Sequence, residues 1–235
     1  MKKQVWVLLL TIVVFLCMPL MVSALGLDVS LQAGGGAALG TTDDDNKSGK
    51  LRWAIDAGLV ADVYAVDLGT VSLGLSTGLD YGMLKYYGET DISGFGIPGA
   101  DNRITEPRYN YLFIPAALVG KVELRGGRLL TARIGGFAAY FLGGKTDITY
   151  EPEVPGFGLV NGEADLDDTN TEQWMYGLRA YAGMTVYEKD KLSVSPGIQF
   201  DLGLTDTSLS FPPIDTSKDT FWALIVNVAL KYSIF

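Results

Sequence analysis

Apolar and polar residues alternate with a period of two along most of this chain. From 192 to 205 one phase reads Leu192, Val194, Pro196, Ile198, Phe200, Leu202 and Leu204, and the other Ser193, Ser195, Gly197, Gln199, Asp201, Gly203 and Thr205. Successive side chains of a strand point to opposite faces, so this segment predicts a strand with one apolar face and one small or polar face. The pattern recurs six times. Leu25, Leu27, Val29 and Leu31 oppose Gly26, Asp28, Ser30 and Gln32, and Trp53, Ile55, Ala57, Leu59 and Ala61 oppose Ala54, Asp56, Gly58, Val60 and Asp62. Val71, Leu73, Leu75, Leu79 and Tyr81 face away from Ser72, Gly74, Ser76, Gly78 and Asp80. Leu130, Ala132, Ile134, Ala138, Tyr140 and Leu142 alternate with Thr131, Arg133, Gly135 and Gly143. Trp174, Tyr176, Leu178, Ala180, Ala182 and Met184 oppose Gln173, Gly177, Arg179 and Gly183. Trp222, Leu224, Val226, Val228, Leu230 and Tyr232 oppose Ala223, Asn227, Ala229, Lys231 and Ser233. The segment 109–123 adds an eighth strand whose two faces the sequence does not distinguish. Most of these segments exceed the ~9–11 residues a tilted strand needs to cross a bilayer.

The connections alternate long and short. Segment 41–50 is followed by a tight corner at Val66-Asp67, 88–108 by a turn at Gly126-Gly127, and 144–171 by Glu188-Lys189-Asp190-Lys191, with 205–219 closing the series. A Gly-Gly pair between two alternating runs is a strong hairpin signal. The expected fold is therefore all-β: an eight-stranded antiparallel up-and-down transmembrane β-barrel with long external loops, short periplasmic turns and both termini on the periplasmic side. Pro115 and Pro196 each remove a ladder hydrogen bond and are expected to mark bulges.

Alternation also fits a soluble barrel with an apolar interior, and the contents of the polar face decide between the two. A solvated face carries many lysines and glutamates at strand centres. This one carries Gly, Ser, Thr and Ala with Asp28, Asp56, Asp80, Arg133, Arg179 and Asp201. Small residues suit the narrow interior of an eight-stranded barrel, and charges of both signs can pair there. The apolar face places Trp53, Tyr81, Tyr140, Trp174, Tyr176, Trp222 and Tyr232 near strand ends, as aromatic girdles at membrane interfaces require. The apolar face is expected to look outward at outer-membrane lipid.

The N-terminus reads as a cleaved secretory signal: Lys2 and Lys3, an apolar run over 5–21, then Val22-Ser23-Ala24. The expected division is a signal peptide over 1–24 and an outer-membrane β-barrel domain over 25–235, located in the cell outer membrane. Cys17 is the only cysteine and lies within that signal, and Leu16 before it is too large for a lipoprotein site. Loss of Lys2 and Lys3 makes the formal net charge two units more negative than −9. No basic patch offsets this, so nucleic acid is not an expected partner.

The runs Tyr111-Leu112-Phe113-Ile114-Pro115, Gly135-Gly136-Phe137-Ala138-Ala139-Tyr140 and Tyr176-Gly177-Leu178-Arg179-Ala180-Tyr181-Ala182-Gly183 resemble the PorT-like outer-membrane β-barrel family. More loosely, the mature chain is similar to the OmpX/OmpW class of small barrels. The ending Leu230-Lys231-Tyr232-Ser233-Ile234-Phe235 resembles the signal read by the outer-membrane assembly machinery, with Tyr232 fourth from the end where the usual form has it third. That machinery, through the strand ending in Phe235, and outer-membrane lipid are the expected partners. The PorT resemblance further implies an accessory role in secretion.

The chain has no histidine, the commonest general base and metal ligand. Small barrels that modify lipid A, and omptin-like proteases, use one. No spacing of Ser, Asp and Lys singles out a nucleophile with its base, so no catalytic, cofactor or metal residue is assigned and an enzyme is not expected. Gly94-Phe95-Gly96-Ile97-Pro98-Gly99 matches a dinucleotide fingerprint only formally, because Pro98 and its loop context oppose a helix. Asp165, Asp167 and Asp168 lack the glycine and glutamate of a calcium loop, and Asp43-Asp44-Asp45 reads as solvated. Charge placement is more telling. Glu163, Asp165, Asp167, Asp168 and Glu172 crowd the longest external segment beside Asp147, Glu151 and Glu153, whereas Arg125, Arg128, Lys189 and Lys191 mark the short turns. The expected function is a structural or surface-interaction, adhesin-like role through acidic external loops. The alternatives are a narrow channel or hydrophobic-solute conduit, and the secretion accessory role.

Overall fold

The computed structural model describes residues 26–42, 47–93, 101–154, 160–166, 171–205 and 219–234. The signal reading over 1–24, the Asp43-Asp44-Asp45 and 94–99 motifs, Asp167, Asp168 and Phe235 lie outside them. Twelve strands follow in chain order: β1 (Gly26–Thr42), β2 (Lys47–Gly49), β3 (Arg52–Asp67), β4 (Val71–Lys85), β5 (Gly88–Asp91), β6 (Asn102–Glu123), β7 (Leu129–Glu151), β8 (Gly162–Leu166), β9 (Trp174–Met184), β10 (Tyr187–Lys189), β11 (Leu192–Gly203) and β12 (Asp219–Ser233). Eight of them (β1, β3, β4, β6, β7, β9, β11 and β12) pair antiparallel in chain order. The β6–β7 and β1–β12 ladders complete a closed ring.

Closure follows from the solvent. Lipid offers no hydrogen bonds, so a spanning sheet must satisfy every backbone group within itself, and only a ring has no edge. The closing ladder runs from Asp28↔Ser233 to Thr42↔Asp219 without interruption. At the end where β1 begins and β12 finishes the strands turn tightly. Gly126 and Gly127 adopt φ of +88° and +74°, the left-handed region that glycine enters without steric cost, in a three-residue loop closed by the Leu124 amide on the Arg128 carbonyl at 2.7 Å.

The two phases separate as the alternation requires. Leu31 is 56% exposed and Ile134 67%, and Leu59, Leu79, Leu178, Val226 and Val228 also face outward. Asp28, Asp56, Asp80, Arg133, Arg179 and Asp201 are all buried inside the ring. Large apolar side chains around the outside and carboxylates within make this an outer-membrane β-barrel, since water would favour the reverse. Trp53, Tyr81 and Tyr176 are exposed on the outer face near the external strand ends, where Tyr140 packs against Trp174 at 5.0 Å. Tyr232 marks the opposite rim.

Two expectations need correction, and the one for Pro196 is met. Pro115 does not bulge its strand. Its register with Phe137 is unbroken, and on the other side the β4 ladder lapses opposite Ile114 and Pro115 without shifting, while the Thr77 hydroxyl donates to the Pro115 carbonyl at 2.9 Å. Pro196 pairs regularly with Val228. On its other side Pro196 does mark a bulge: pairing stops at Gly183↔Gly197 and resumes at Tyr187↔Val194, with one extra residue on the facing chain. Of the segments expected as loops at 88–108 and 144–171, most of the described residues are strand, because β6 and β7 continue past the membrane and gather β5 and β8.

Substituting Ile134→Arg places a charge near the centre of the apolar belt. We expect unfolding from lipid vesicles in urea to show a loss of about 2–4 kcal/mol. Ile134→Leu should leave the urea midpoint unchanged.

Candidate functional site

The barrel interior is built in tiers. At the periplasmic end Asp28 accepts from Lys121 (3.1 Å) and from the Ser233 hydroxyl (2.6 Å), while Lys231 donates to Thr131 at 3.0 Å. Above it, Arg133 forms a fork on Asp62, with Nε to Oδ1 at 2.9 Å and Nη2 to Oδ2 at 2.7 Å, and lies 4.5 Å over the Tyr181 ring. The next tier centres on Arg179. Its Nε and Nη2 hold Asp201 at 2.7 and 2.8 Å, and Nη1 holds Asp80 at 2.6 Å. Such planar, two-bonded pairs are the strongest form of charge-assisted hydrogen bond. Asp80 is fully buried, so the pairing is what permits a charge there.

The external half of the lumen is aromatic. Tyr86, Tyr109, Tyr111, Phe113, Phe137, Phe141 and Phe221 are buried together, with Phe113–Phe137 centroids 5.3 Å apart and Tyr111–Phe141 5.6 Å apart. This corrects the expectation of a lumen filled by small residues. The inward glycines are seats for rings: a Cβ on Gly177 would lie 2.3 Å from Phe137, one on Gly203 2.5 Å from Phe221, and one on Gly82 2.5 Å from Phe113. The same rings cover the guanidinium of Arg179 at 5.1 and 5.5 Å.

Beyond the belt, β2, β5, β6, β7 and β8 lie side by side as a sheet that leaves the ring. A bulge turns its side chains. Asn110 pairs with Gly143 and Tyr111 with Phe141, so Leu142 is extra, and Gly143 takes φ of +130°. The extra residue reverses the phase, leaving Lys145 exposed and Thr146 buried. At the root of this sheet Glu106 bridges Lys85 (2.8 Å) and Arg52 (2.6 Å), joining β6 to β4 and β3. On its far edge Lys145 and Glu163 form an exposed ion pair.

The charged residues that the sequence placed on the inner face all reach it. Their pairings were not legible, since Arg133 meets a residue 71 positions away and Arg179 one 99 away. Lys121 was missed because it lies on the strand whose faces the sequence leaves open. Among the described residues no group of three or more His, Cys, Asp or Glu lies placed to hold a metal ion.

No family model and no characterised protein sequence matches this chain. Among solved structures it is similar to Neisserial surface protein A, with 10% identity over 86% of this chain and 96% of that one and a TM-score of 0.40. It is also similar to the outer membrane protein OprG from Pseudomonas aeruginosa (9% identity, 89% and 97% covered, TM-score 0.44). A third is the outer membrane protease OmpT from Escherichia coli (12% identity, 88% and 97% covered, TM-score 0.44). Identity this low says nothing about role, and the outer-membrane assignment rests on the apolar belt.

Replacing Arg179 by Met leaves Asp80 and Asp201 buried without a counterion. We expect a loss of about 3–5 kcal/mol in urea unfolding from vesicles, largely recovered when D80N and D201N are added.

Proposed function

We propose that this protein presents an external β-sheet for surface interaction, with the barrel as its anchor. The observation that carries this reading is the length of β6 and β7, 22 and 23 residues against the ~9–11 that cross a bilayer. The surplus is ordered as sheet and gathers β5 and β8. Its outer strand β8 (Gly162-Glu163-Ala164-Asp165-Leu166) pairs with β7 on one side, and Glu163 and Asp165 are exposed. An edge strand offers main-chain donors and acceptors to an added strand, and its side chains set specificity. Acidic residues along that edge suit a basic protein partner. The tiers of paired charge and packed rings in the lumen favour this reading over conduction, because an eight-stranded barrel filled by side chains leaves little path for solute.

Removing 152–166 deletes β8 and its connection while sparing the spanning strands. We expect the heat-dependent gel shift of a folded barrel to persist, and adhesion of expressing cells to surfaces coated with basic protein to fall about tenfold, a ~1.4 kcal/mol loss per contact. Retained barrel with undiminished adhesion would overturn the reading.

Glu106 roots the sheet, and hydrogen bonds from Lys85 first and Arg52 next hold its carboxyl below the ordinary value of 4.5. A folded-state value below the unfolded one stabilises the fold fully above that range, and the contribution fades as pH drops through the lowered value. The gap in urea stability between the parent protein and E106Q should be about 1 kcal/mol at pH 7 and close as pH falls below 4.5.

A further inference from the structure

Three carboxylates share the middle tier with one guanidinium. Arg179 satisfies Asp201 and Asp80, and the Gln199 amide donates to both Asp201 and Asp56 at 3.0 Å. Asp56 receives nothing else: its Oδ1 is buried without a hydrogen-bond partner, and the residue is 5% exposed. The side chains around it are in the same condition. Gln32, 2% exposed, donates its amide toward Asp80 at 3.5 Å, and its Oε1 is unpartnered. Asn227 is 1% exposed, and neither polar atom of its side chain has a partner.

Register sets these side chains on neighbouring strands of one tier. Asp56 pairs with Gly34, and Gly34 pairs with Asn227, so the two side chains flank a single glycine on the inner face. A Cβ on Gly34 would lie 2.6 Å from the Asn227 Cβ, which shows how closely Asn227 leans over it. Gln32 is two residues before Gly34 on the same inward phase. A buried polar atom without a partner costs on the order of 1–3 kcal/mol, and the unpartnered oxygens of Asp56, Gln32 and Asn227 suit a ligand that accepts lone pairs.

We propose that Asp56, Gln32 and Asn227 form an internal site for one small monovalent cation, with sodium as its representative. Carboxylate and amide oxygens are the donors that hard cations take. One carboxylate and two amide oxygens match a single charge, and no cluster of three carboxylates offers a divalent site among the described residues. The cation offsets the tier's excess of negative charge, which Arg179 alone does not balance. The ring layer covers the external side, and the paired tiers of Arg133 with Asp62 and of Lys121 and Lys231 with Asp28 cover the periplasmic side, so the ion is captured as the barrel closes.

The test is refolding of the full barrel into vesicles in sodium chloride or choline chloride at constant ionic strength, followed by urea unfolding. For one ion bound only by the folded state, the folding equilibrium constant rises about tenfold per decade of sodium above its dissociation constant. The parent protein should show that slope, N227A should need more sodium to reach it, and D56N should show none while folding stably in choline. Equal midpoints in sodium and choline would overturn the site, as would a D56N slope equal to that of the parent. A stability that follows pH and ignores sodium would overturn it too, because Asp56 then holds a proton.

Discussion

Among the described residues, every membrane-spanning strand is committed to a partner on both sides because lipid supplies no alternative. The seam between β1 and β12 closes the ring over fifteen consecutive residue pairs, joining the two ends of the barrel sequence. Once the backbone is fixed as a closed sheet, each side chain has only two directions available, toward lipid or into the lumen. The period of two, the apolar belt and the buried charges are all consequences of that restriction.

The lumen solves a packing problem set by its own narrowness. Rings fill the external half only because the facing inward positions are glycine, as Phe137 over Gly177 and Phe221 beside Gly203 illustrate. Charges fill the rest, and their burial is tolerable only in pairs. Arg133 and Asp62 neutralise each other, whereas the Arg179 tier retains more carboxylate than guanidinium. The interior is thus both the filling of the barrel and the place where its electrostatics are least balanced.

Outside the membrane the same backbone logic continues with different rules. Water can satisfy an edge, so β6 and β7 carry on as an open sheet that no longer needs to close. The bulge at Leu142 marks the change, since one extra residue exchanges inward and outward phases where lipid gives way to water. Glu106 ties this sheet to the barrel rim, giving the projecting strands a fixed base.

The sequence by itself determined the strands and their outward faces wherever one phase was apolar and the other small or charged: Trp174–Met184 falls short of its predicted run by one residue, Gln173, and Leu192–Gly203 falls short by two. It determined the turns at Gly126-Gly127 and Asp190 for the same local reason, backbone conformation. It did not determine β6, because Tyr109, Tyr111 and Phe113 on one phase and Leu112, Ile114 and Leu118 on the other are equally apolar. Only the glycine seats across the lumen decide which set goes in. Charge pairing, the ring-filled half and the continuation of loops into sheet were likewise settled by tertiary structure. Each depends on distances between residues tens of positions apart, which periodicity along one strand does not encode.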